Sequence, residues 1–306
     1  MQRRFSDYIV IALKGIAMGA ADAVPGVSGG TIALISGIYQ ELITTISNVN
    51  LALFKTLKEE GFAAFWKQAN GNFLLALLSG ILVSYVTFMK IASYLIEHEP
   101  ILIWSFFFGL IVASIYYVGK EVKSWNIKTI ACFLIGALLA YFITTLPSMG
   151  DNENPWFLFV AGAIAICAMI LPGISGSFIL VILGAYTTLS TAINTTDIKS
   201  IAIFGTGATI GLLSFSKLLK WLFKHYSDIT LAVLTGFILG SLNKVWPWKE
   251  TISWRINSKG VKVPLQDISI SPFDFPGDAQ IGLAIGLMIF GFLTIFILER
   301  IGSKKA

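Results

Sequence analysis

The sequence predicts an all-α polytopic membrane protein made of two inverted repeats, each a Gly/Pro-broken re-entrant helical hairpin followed by three transmembrane helices. Three observations indicate this fold. Hydrophobic residues make up 56% of the chain and charged residues 13%, which is about half the charged fraction of soluble domains. A Gly/Pro motif occurs twice, about half a chain length apart. Long apolar segments follow each copy of the motif.

The repeated motif aligns the two halves of the chain. The first copy is Asp22-Ala-Val-Pro-Gly-Val-Ser-Gly-Gly-Thr31, and the second is Met169-Ile-Leu-Pro-Gly-Ile-Ser-Gly-Ser-Phe178. Six residues recur at one constant spacing: Pro25, Gly26, Ser28, Gly29, Gly37 and Tyr39 match Pro172, Gly173, Ser175, Gly176, Gly184 and Tyr186. A half-length repeat of broken apolar segments is typical of secondary transporters.

The elements follow in the same order in both halves. The first repeat (1–146) has a hairpin at 9–46 and spans at 73–96, 101–118 and 129–146. The second (147–306) has a hairpin at 156–193 and spans at 201–223, 229–246 and 281–298. The spans are long enough as helices to cross the hydrocarbon core. The hairpin arms, 9–24 with 31–46 and 156–171 with 178–193, are shorter. We predict that each hairpin enters and returns on one side, and two short tilted spans are the alternative.

The orientation follows from the number of crossings and from the loop charges. Each half crosses the membrane an odd number of times under either alternative, so two similar halves must have opposite orientations. Cytoplasmic loops retain Lys and Arg. Placing both termini in the cytoplasm puts these basic residues on that side: Arg3, Arg4, Lys55, Lys58, Lys67, Lys120, Lys123, Lys128, Lys224, Arg300, Lys304 and Lys305. The basic 247–280 segment would lie outside, but long loops obey this rule poorly.

The two motifs predict helix breaks and an anion site. Proline ends a helical hydrogen-bond ladder and glycine permits tight turns, so we interpret Pro25, Gly26, Pro172 and Gly173 as hinges. The helices that follow would direct unpaired N–H groups at the tip of each hairpin. If the tips meet at the midplane, they form a phosphate site from Ser28, Gly29, Gly30, Thr31, Ser175, Gly176 and Ser177. The alternative is a pair of packing kinks with capping serines.

Four charged residues are further candidates. Asp22 should lie deep in the membrane, where it would couple transport to a proton or monovalent cation, or else cap the N–H groups of the tip. Glu41 is either a gate or coupling residue or an interfacial charge. Lys90 and Lys217 are equivalent in the repeat. They would guide an anionic headgroup, or else extend to the nearest interface.

Other classes of function and site are not supported. Gly-x-Ser-Gly also occurs in rhomboid-type proteases, but His98 and His225 lie at segment ends, so no catalytic residue is predicted. Cys132 and Cys167 lie within apolar segments, which argues against a disulfide or metal framework. We expect no cofactor, no metal and no nucleic-acid partner. The 47–72 segment is either an amphipathic interfacial segment or a soluble connector.

The motif residues also carry a family resemblance. The stretches Gly19–Tyr39 and Leu171–Tyr186 resemble a bacterial family, formerly of unknown function, of undecaprenyl-phosphate (polyprenyl-phosphate) translocases, called PopT-like. The resemblance extends over essentially the whole chain. It implies a C55 carrier lipid that returns from the outer to the inner leaflet of the bacterial cytoplasmic membrane.

The resulting hypothesis is a flippase for undecaprenyl phosphate that works by alternating access, with proton or cation coupling. The phosphate is the barrier to crossing, because a desolvated anion in hydrocarbon is very expensive. The main alternative is a secondary transporter of a small soluble anion. A membrane enzyme acting on lipid phosphates and a membrane scaffold rank lower. The oligomeric state, including a homodimer, stays open.

Overall fold

The computed structural model describes residues 3–24, 27–149, 154–256 and 262–303, and these are mostly helical. In the first half the helices are α1 (Phe5–Asp22), α2 (Gly29–Ile35), α3 (Tyr39–Ser47), α4 (Leu51–Glu59), α5 (Phe62–Gln68), α6 (Gly71–His98), α7 (Pro100–Lys120) and α8 (Ile127–Thr145). In the second half they are α9 (Pro155–Ile170), α10 (Gly176–Ile182), α11 (Tyr186–Asn194), α12 (Ile198–His225), α13 (Ser227–Gly240) and α14 (Ile281–Ser303). A 3-10 turn, Ser241–Val245, extends α13.

Long apolar helices make this a multi-pass membrane protein. Within the described ranges, 5 helices are long and apolar enough to cross a membrane, or 6 if the bent pair α10 and α11 counts as one span. The five are α6, α7, α8, α12 and α13 with its 3-10 extension. The apolar stretch Ile281–Ile297 of α14 is somewhat shorter. The six apolar segments predicted as spans overlap α6, α7, α8, α12, α13 with its 3-10 turn, and α14, and their assignment as membrane spans stays a prediction.

The second arm of each hairpin differs from the prediction. The sequence suggested one continuous helix for 31–46 and one for 178–193, but α2 is separated from α3, and α10 from α11. The axes of α10 and α11 differ by 109°. Gly37 and Gly184, with φ of 76° and 69°, lie in these breaks. The left-handed backbone conformation favours glycine, so this repeated residue turns each arm.

A pair of strands is the departure from an all-α chain among the described residues. β1 (Lys249–Ile256) pairs antiparallel with β2 (Lys262–Ser269) after α13. Two indole N–H groups fix the flanking chain: Trp246 donates to the Ile270 carbonyl at 2.8 Å, and Trp248 donates to the Ala279 carbonyl at 2.9 Å. The predicted all-α fold class did not include this pair of strands.

The connection between the hairpin and α6 in the first half is helical. It consists of α4 and α5, and these helices expose large apolar side chains, among them Leu51 at 88%, Phe54 at 58% and Phe62 at 64%. Lysines lie between them, including Lys55 and Lys58. Apolar and basic residues on short helices are typical of segments that lie in a membrane interface, and the interfacial assignment of 47–72 stays a prediction.

Helix packing is alike in the two halves. The first arm of each hairpin packs on the first long helix of its repeat, α1 on α6 and α9 on α12, and the remaining long helices pair as α7 with α14 and α8 with α13. A Cβ atom at Gly80 would overlap the backbone oxygen of Ala12, and one at the equivalent Gly207 would overlap that of Phe159. Glycine thus lets the helix backbones approach closely at the same place in each repeat.

This close contact predicts opposite effects for two glycines of α12. Gly207→Ala should lower the free energy of unfolding by about 1–3 kcal/mol, because the new methyl group overlaps the Phe159 carbonyl. Gly205 has no neighbour within 4 Å of a built Cβ. Gly205→Ala should therefore be neutral or stabilise by up to about 1 kcal/mol through helix propensity. Thermal unfolding in detergent measures both, and equal midpoints for the two variants would contradict the packing.

Candidate functional site

The tips of the two hairpins contact each other through hydrogen bonds. The Ser28 hydroxyl donates to the Leu171 carbonyl at 3.2 Å, and the Tyr39 hydroxyl donates to the Ile170 carbonyl at 3.2 Å. The Gly173 N–H donates to the Thr31 hydroxyl oxygen at 2.9 Å. The last carbonyls of a helix have no partner within it. The first tip supplies the missing donors to the end of α9.

Glycine makes this contact possible on the side of the first tip. A Cβ atom built on Gly30 would lie 2.5 Å from the Ile170 carbonyl oxygen, closer than van der Waals contact allows. A larger side chain at this position would therefore push the two tips apart. Gly30 thus serves close approach of the two backbones.

The first tip is closed by its own side chains. The Asp22 carboxylate accepts from the Gly29 N–H at 2.6 Å, and the Ser28 hydroxyl oxygen accepts from the Gly30 N–H at 3.1 Å. Ser28 and Thr31 are each 1% exposed. The N–H groups of Gly29 and Gly30, predicted to bind phosphate, are therefore occupied in this conformation. The predicted hinges Pro25 and Gly26 lie outside the described residues.

The second tip is more open. Pro172 and Gly173 form the turn between α9 and α10, and Gly173 has a φ of 85°. The Ser175 and Ser177 hydroxyls lie 2.8 Å apart and hydrogen-bond to each other, and Ser177 is exposed. Ser175 precedes α10 without capping it through its side chain. The second tip therefore presents hydroxyl groups at the surface of the fold, whereas Gly176 is buried.

One carboxylate contact of the first tip has no counterpart in the second tip. The residue that corresponds to Asp22 in the second repeat is Met169, which cannot accept a hydrogen bond from the backbone as a carboxylate does. Asp22 thus bonds the Gly29 N–H at the start of α2, whereas the described residues place no such carboxylate at the start of α10. The two tips share a serine before their second helix and differ in this carboxylate.

The other predicted charged residues lie in separate environments. Arg3 donates twice to Glu41, at 2.6 Å and 2.5 Å, and Asn70 donates to the same carboxylate at 2.9 Å. The hydrogen bond to Glu41 is the main cause of the raised pKa of Arg3. Lys217 is exposed and lines an open cavity of about 520 Å³ with the beginning of α4. Lys90 belongs to α6, and its side chain lies outside the described part.

A second cavity adjoins the contact between the tips. It has a volume of about 320 Å³ and is lined by Gly37 and Tyr39 of the first hairpin, and by Lys120 and Glu121 at the end of α7. Tyr39 also donates its hydroxyl hydrogen to Ile170 in the second tip. The cavity therefore lies between the first hairpin and the end of α7.

Sequence reasoning missed two lysines beside the second tip. The Lys244 Nζ atom lies 4.4 Å from the ring centre of Phe178, the residue after Ser177. The Lys249 Nζ atom lies 4.3 Å from the ring centre of Trp104 and donates to the Lys244 carbonyl at 2.5 Å. Burial, with the nearby charge of Lys244, lowers the pKa of Lys249 to about 7, and Asp267 opposes this shift. The run from Lys244 to Lys249, with Trp246 and Trp248 between the lysines, was the available signal.

Comparison with known proteins gives the following matches. Residues 18–263 match the model of a family described as VCA0040-like, undecaprenyl phosphate translocase-like. A polyprenyl-phosphate transporter of Vibrio cholerae serotype O1 is 45% identical over 308 residues, which cover 99% of this chain and 100% of the relative. A polyprenyl-phosphate transporter of Staphylococcus aureus is 33% identical over 268 residues, which cover 80% of this chain and 89% of the relative. No solved structure is significantly similar.

The hydrogen bonds between the tips predict a cost for Thr31→Val. This change leaves the buried Gly173 N–H without its acceptor, which should cost about 1–3 kcal/mol of stability. Thr206→Val is the matched control, because Thr206 is exposed and its hydroxyl bonds only to the Ala202 carbonyl of its own helix. Thermal unfolding of both variants in detergent measures the difference, and a Thr31→Val midpoint equal to that of the control would refute the bond.

Proposed function

This chain belongs to the undecaprenyl phosphate translocase-like family, and from that premise we propose that it returns undecaprenyl phosphate from the outer to the inner leaflet of the bacterial cytoplasmic membrane. The match confirms the family predicted from the two motifs. The names of the family and of its relatives describe transporters and not an enzyme. The leaflet direction, the coupling and the residues of the site are parts of the proposal.

The proposal depends on one observation, the contact of two broken-helix tips inside an apolar fold. Broken helices are tolerated at membrane depth only where they are buried in protein or line a cavity. Moving a phosphate across hydrocarbon requires polar groups that replace its water. The hydroxyls of Ser175 and Ser177, with the N–H groups that begin α10, supply such donors beside the contact. The lipid tail would remain in the bilayer.

An inverted repeat is the architecture that we propose for this transport. The equivalent packing of α1 on α6 and of α9 on α12, with matching glycine contacts, supports two structurally similar halves. If each half contributes a re-entrant hairpin, the tips approach the midplane from opposite faces. Exchange between the two halves would then open the site alternately to each leaflet.

The side chains that close the first tip suggest how the site is gated. The Asp22 carboxylate accepts a hydrogen bond from the Gly29 N–H. A phosphate bound at the first tip would need this same N–H group as a donor. An ionised Asp22 would also repel that phosphate, whereas a protonated one would not. We assign proton coupling to Asp22, with a monovalent cation as the other option for neutralising it. Glu41, held by Arg3 and Asn70, is a second proposed gate at the open end of the first hairpin.

The central prediction is translocation in liposomes. Purified protein reconstituted with labelled undecaprenyl phosphate should make headgroups inaccessible to a probe added only outside. Replacing both Ser175 and Ser177 by Ala should slow this loss by roughly tenfold or more, because hydrogen bonds to a charged group contribute about 1.5–3 kcal/mol each. Ser214→Ala is the control, since that exposed hydroxyl bonds within α12 to Ile210.

Two outcomes would contradict this function. Headgroup accessibility that is unchanged by wild-type protein, in the presence of a pH gradient and with folding verified, would exclude translocation of this lipid under proton coupling. Uptake of a water-soluble anion that competes with the lipid phosphate would favour the secondary transporter of small anions instead. If the double Ser variant and the wild type translocate the lipid at equal rates, translocation still stands, but the hydroxyls of the second tip do not bind the phosphate.

A second prediction concerns Asp22. Asp22→Asn keeps an oxygen that accepts from the Gly29 N–H and removes the titrating charge. We expect a thermal midpoint close to that of the wild type and a translocation rate that no longer responds to a pH gradient. Asp22→Ala, which removes the cap as well, should lose about 0.5–2 kcal/mol of stability. If the translocation rate of the Asn variant depends on the pH gradient as in the wild type, Asp22 does not couple transport to protons and acts only as a cap on the Gly29 N–H.

A further inference from the structure

We propose that Lys244 and Lys249 form a capture subsite for the phosphate monoester headgroup, through which the lipid reaches the second tip. This inference rests on the proposed function and extends it to residues outside both motifs. The subsite would act before the hydroxyls of Ser175 and Ser177. It takes the headgroup of a polyprenyl monophosphate and not the tail.

The position of Lys244 connects it to the second tip. It lies in the 3-10 turn that extends α13. Its Nζ atom is 4.4 Å from the ring centre of Phe178, and Phe178 directly follows the exposed Ser177. The backbone of α13 reaches the same tip, because a Cβ atom on Gly173 would lie 2.8 Å from the Phe237 carbonyl oxygen. The cation is therefore held close to the residues that we assign to the phosphate.

Lys249 is tied to Lys244 by a direct contact. Its ammonium group donates to the Lys244 carbonyl at 2.5 Å and lies over the ring of Trp104 in α7. Two ammonium groups at the ends of one short segment therefore point inward over aromatic faces. Two or more cations on one side of a phosphate are a common way to neutralise its charge.

The positive charges of the two lysines are not fully balanced by nearby acidic groups among the described residues. Neither lysine forms a salt bridge within the described residues, and the acidic group that acts on both is Asp267. Asp267 also accepts a hydrogen bond from Thr251 at 2.8 Å. Partly buried cations held mainly by aromatic faces are incompletely compensated. A phosphate dianion would supply the missing negative charge.

Rigid packing supports the segment between the lysines. Trp246 and Trp248 lie between them in sequence, and their indole N–H groups bond to the Ile270 and Ala279 carbonyls. The ring of Trp246 also packs edge-on against Phe108 of α7. A site on such a fixed segment keeps its geometry without a ligand, which lowers the entropic cost of binding.

The test compares lysine variants in binding and in transport. Lys244→Gln and Lys249→Gln should each weaken binding of a short-chain polyprenyl monophosphate to the purified protein by roughly tenfold, and Lys244→Arg should restore most of the affinity. Lys199→Gln is the control, because Lys199 is an exposed lysine on α12 and belongs to no proposed site. The matching polyprenol, which lacks the phosphate, should bind equally to all variants.

The outcomes separate this inference from the proposed function. Wild-type affinity and translocation in both Gln variants, with unchanged thermal midpoints, would overturn the subsite and leave the function in place. Loss of phosphate binding in the Gln variants, together with no translocation by the wild type, would support the subsite and overturn the function. If a Gln variant fails to fold, Lys244→Arg provides the test. A folded Lys244→Arg variant that binds the monophosphate as weakly as expected for the Gln variants would overturn the assignment. Inorganic phosphate that displaces the lipid at equal concentration would also overturn the assignment of a lipid headgroup.

Discussion

The structure depends on one constraint: a helix broken inside an apolar fold must find partners for its free backbone groups. Water is absent from the membrane interior, so each unpaired carbonyl or N–H group is costly. The carbonyls at the end of α9 receive hydroxyl hydrogens from Ser28 and Tyr39, and the Gly173 N–H finds Thr31. Each hairpin tip thus completes the other. The same bonds join the two halves of the chain at the hairpin tips.

The two tips differ because one side chain differs. Asp22 closes the beginning of α2, whereas its counterpart Met169 leaves the beginning of α10 without a carboxylate. The charge distribution of the two tips is therefore asymmetric, and the more open tip is the one beside Lys244. For the transport proposed above, such a difference would let the two tips bind a phosphate with different strengths.

The sequence was sufficient for some features of the fold and not for others. Hydropathy located the five helices that are long and apolar enough to cross a membrane, because a membrane span depends on composition along one segment. The Gly/Pro motifs marked both tips, and a contact between them was expected only on the condition that the tips meet at the midplane. The turns at Gly37 and Gly184 were missed, although both glycines were visible in the repeat, because an isolated glycine does not reveal a left-handed conformation. The positions of Lys244 over Phe178 and of Lys249 over Trp104 were missed because they depend on tertiary packing between distant segments.

The glycine contacts between α1 and α6, and between α9 and α12, have a mechanical consequence. Backbones that touch at van der Waals distance cannot slide past each other without a steric clash. We therefore expect each first arm to move together with its long helix. We expect bending at the turns of Gly37 and Gly184 and at the surfaces between these two helix pairs. The two helix pairs are thus connected by hydrogen bonds between the hairpin tips and, beyond the tips, by the packing of α3 on α12, where the ring of Tyr39 lies edge-on to that of Phe223.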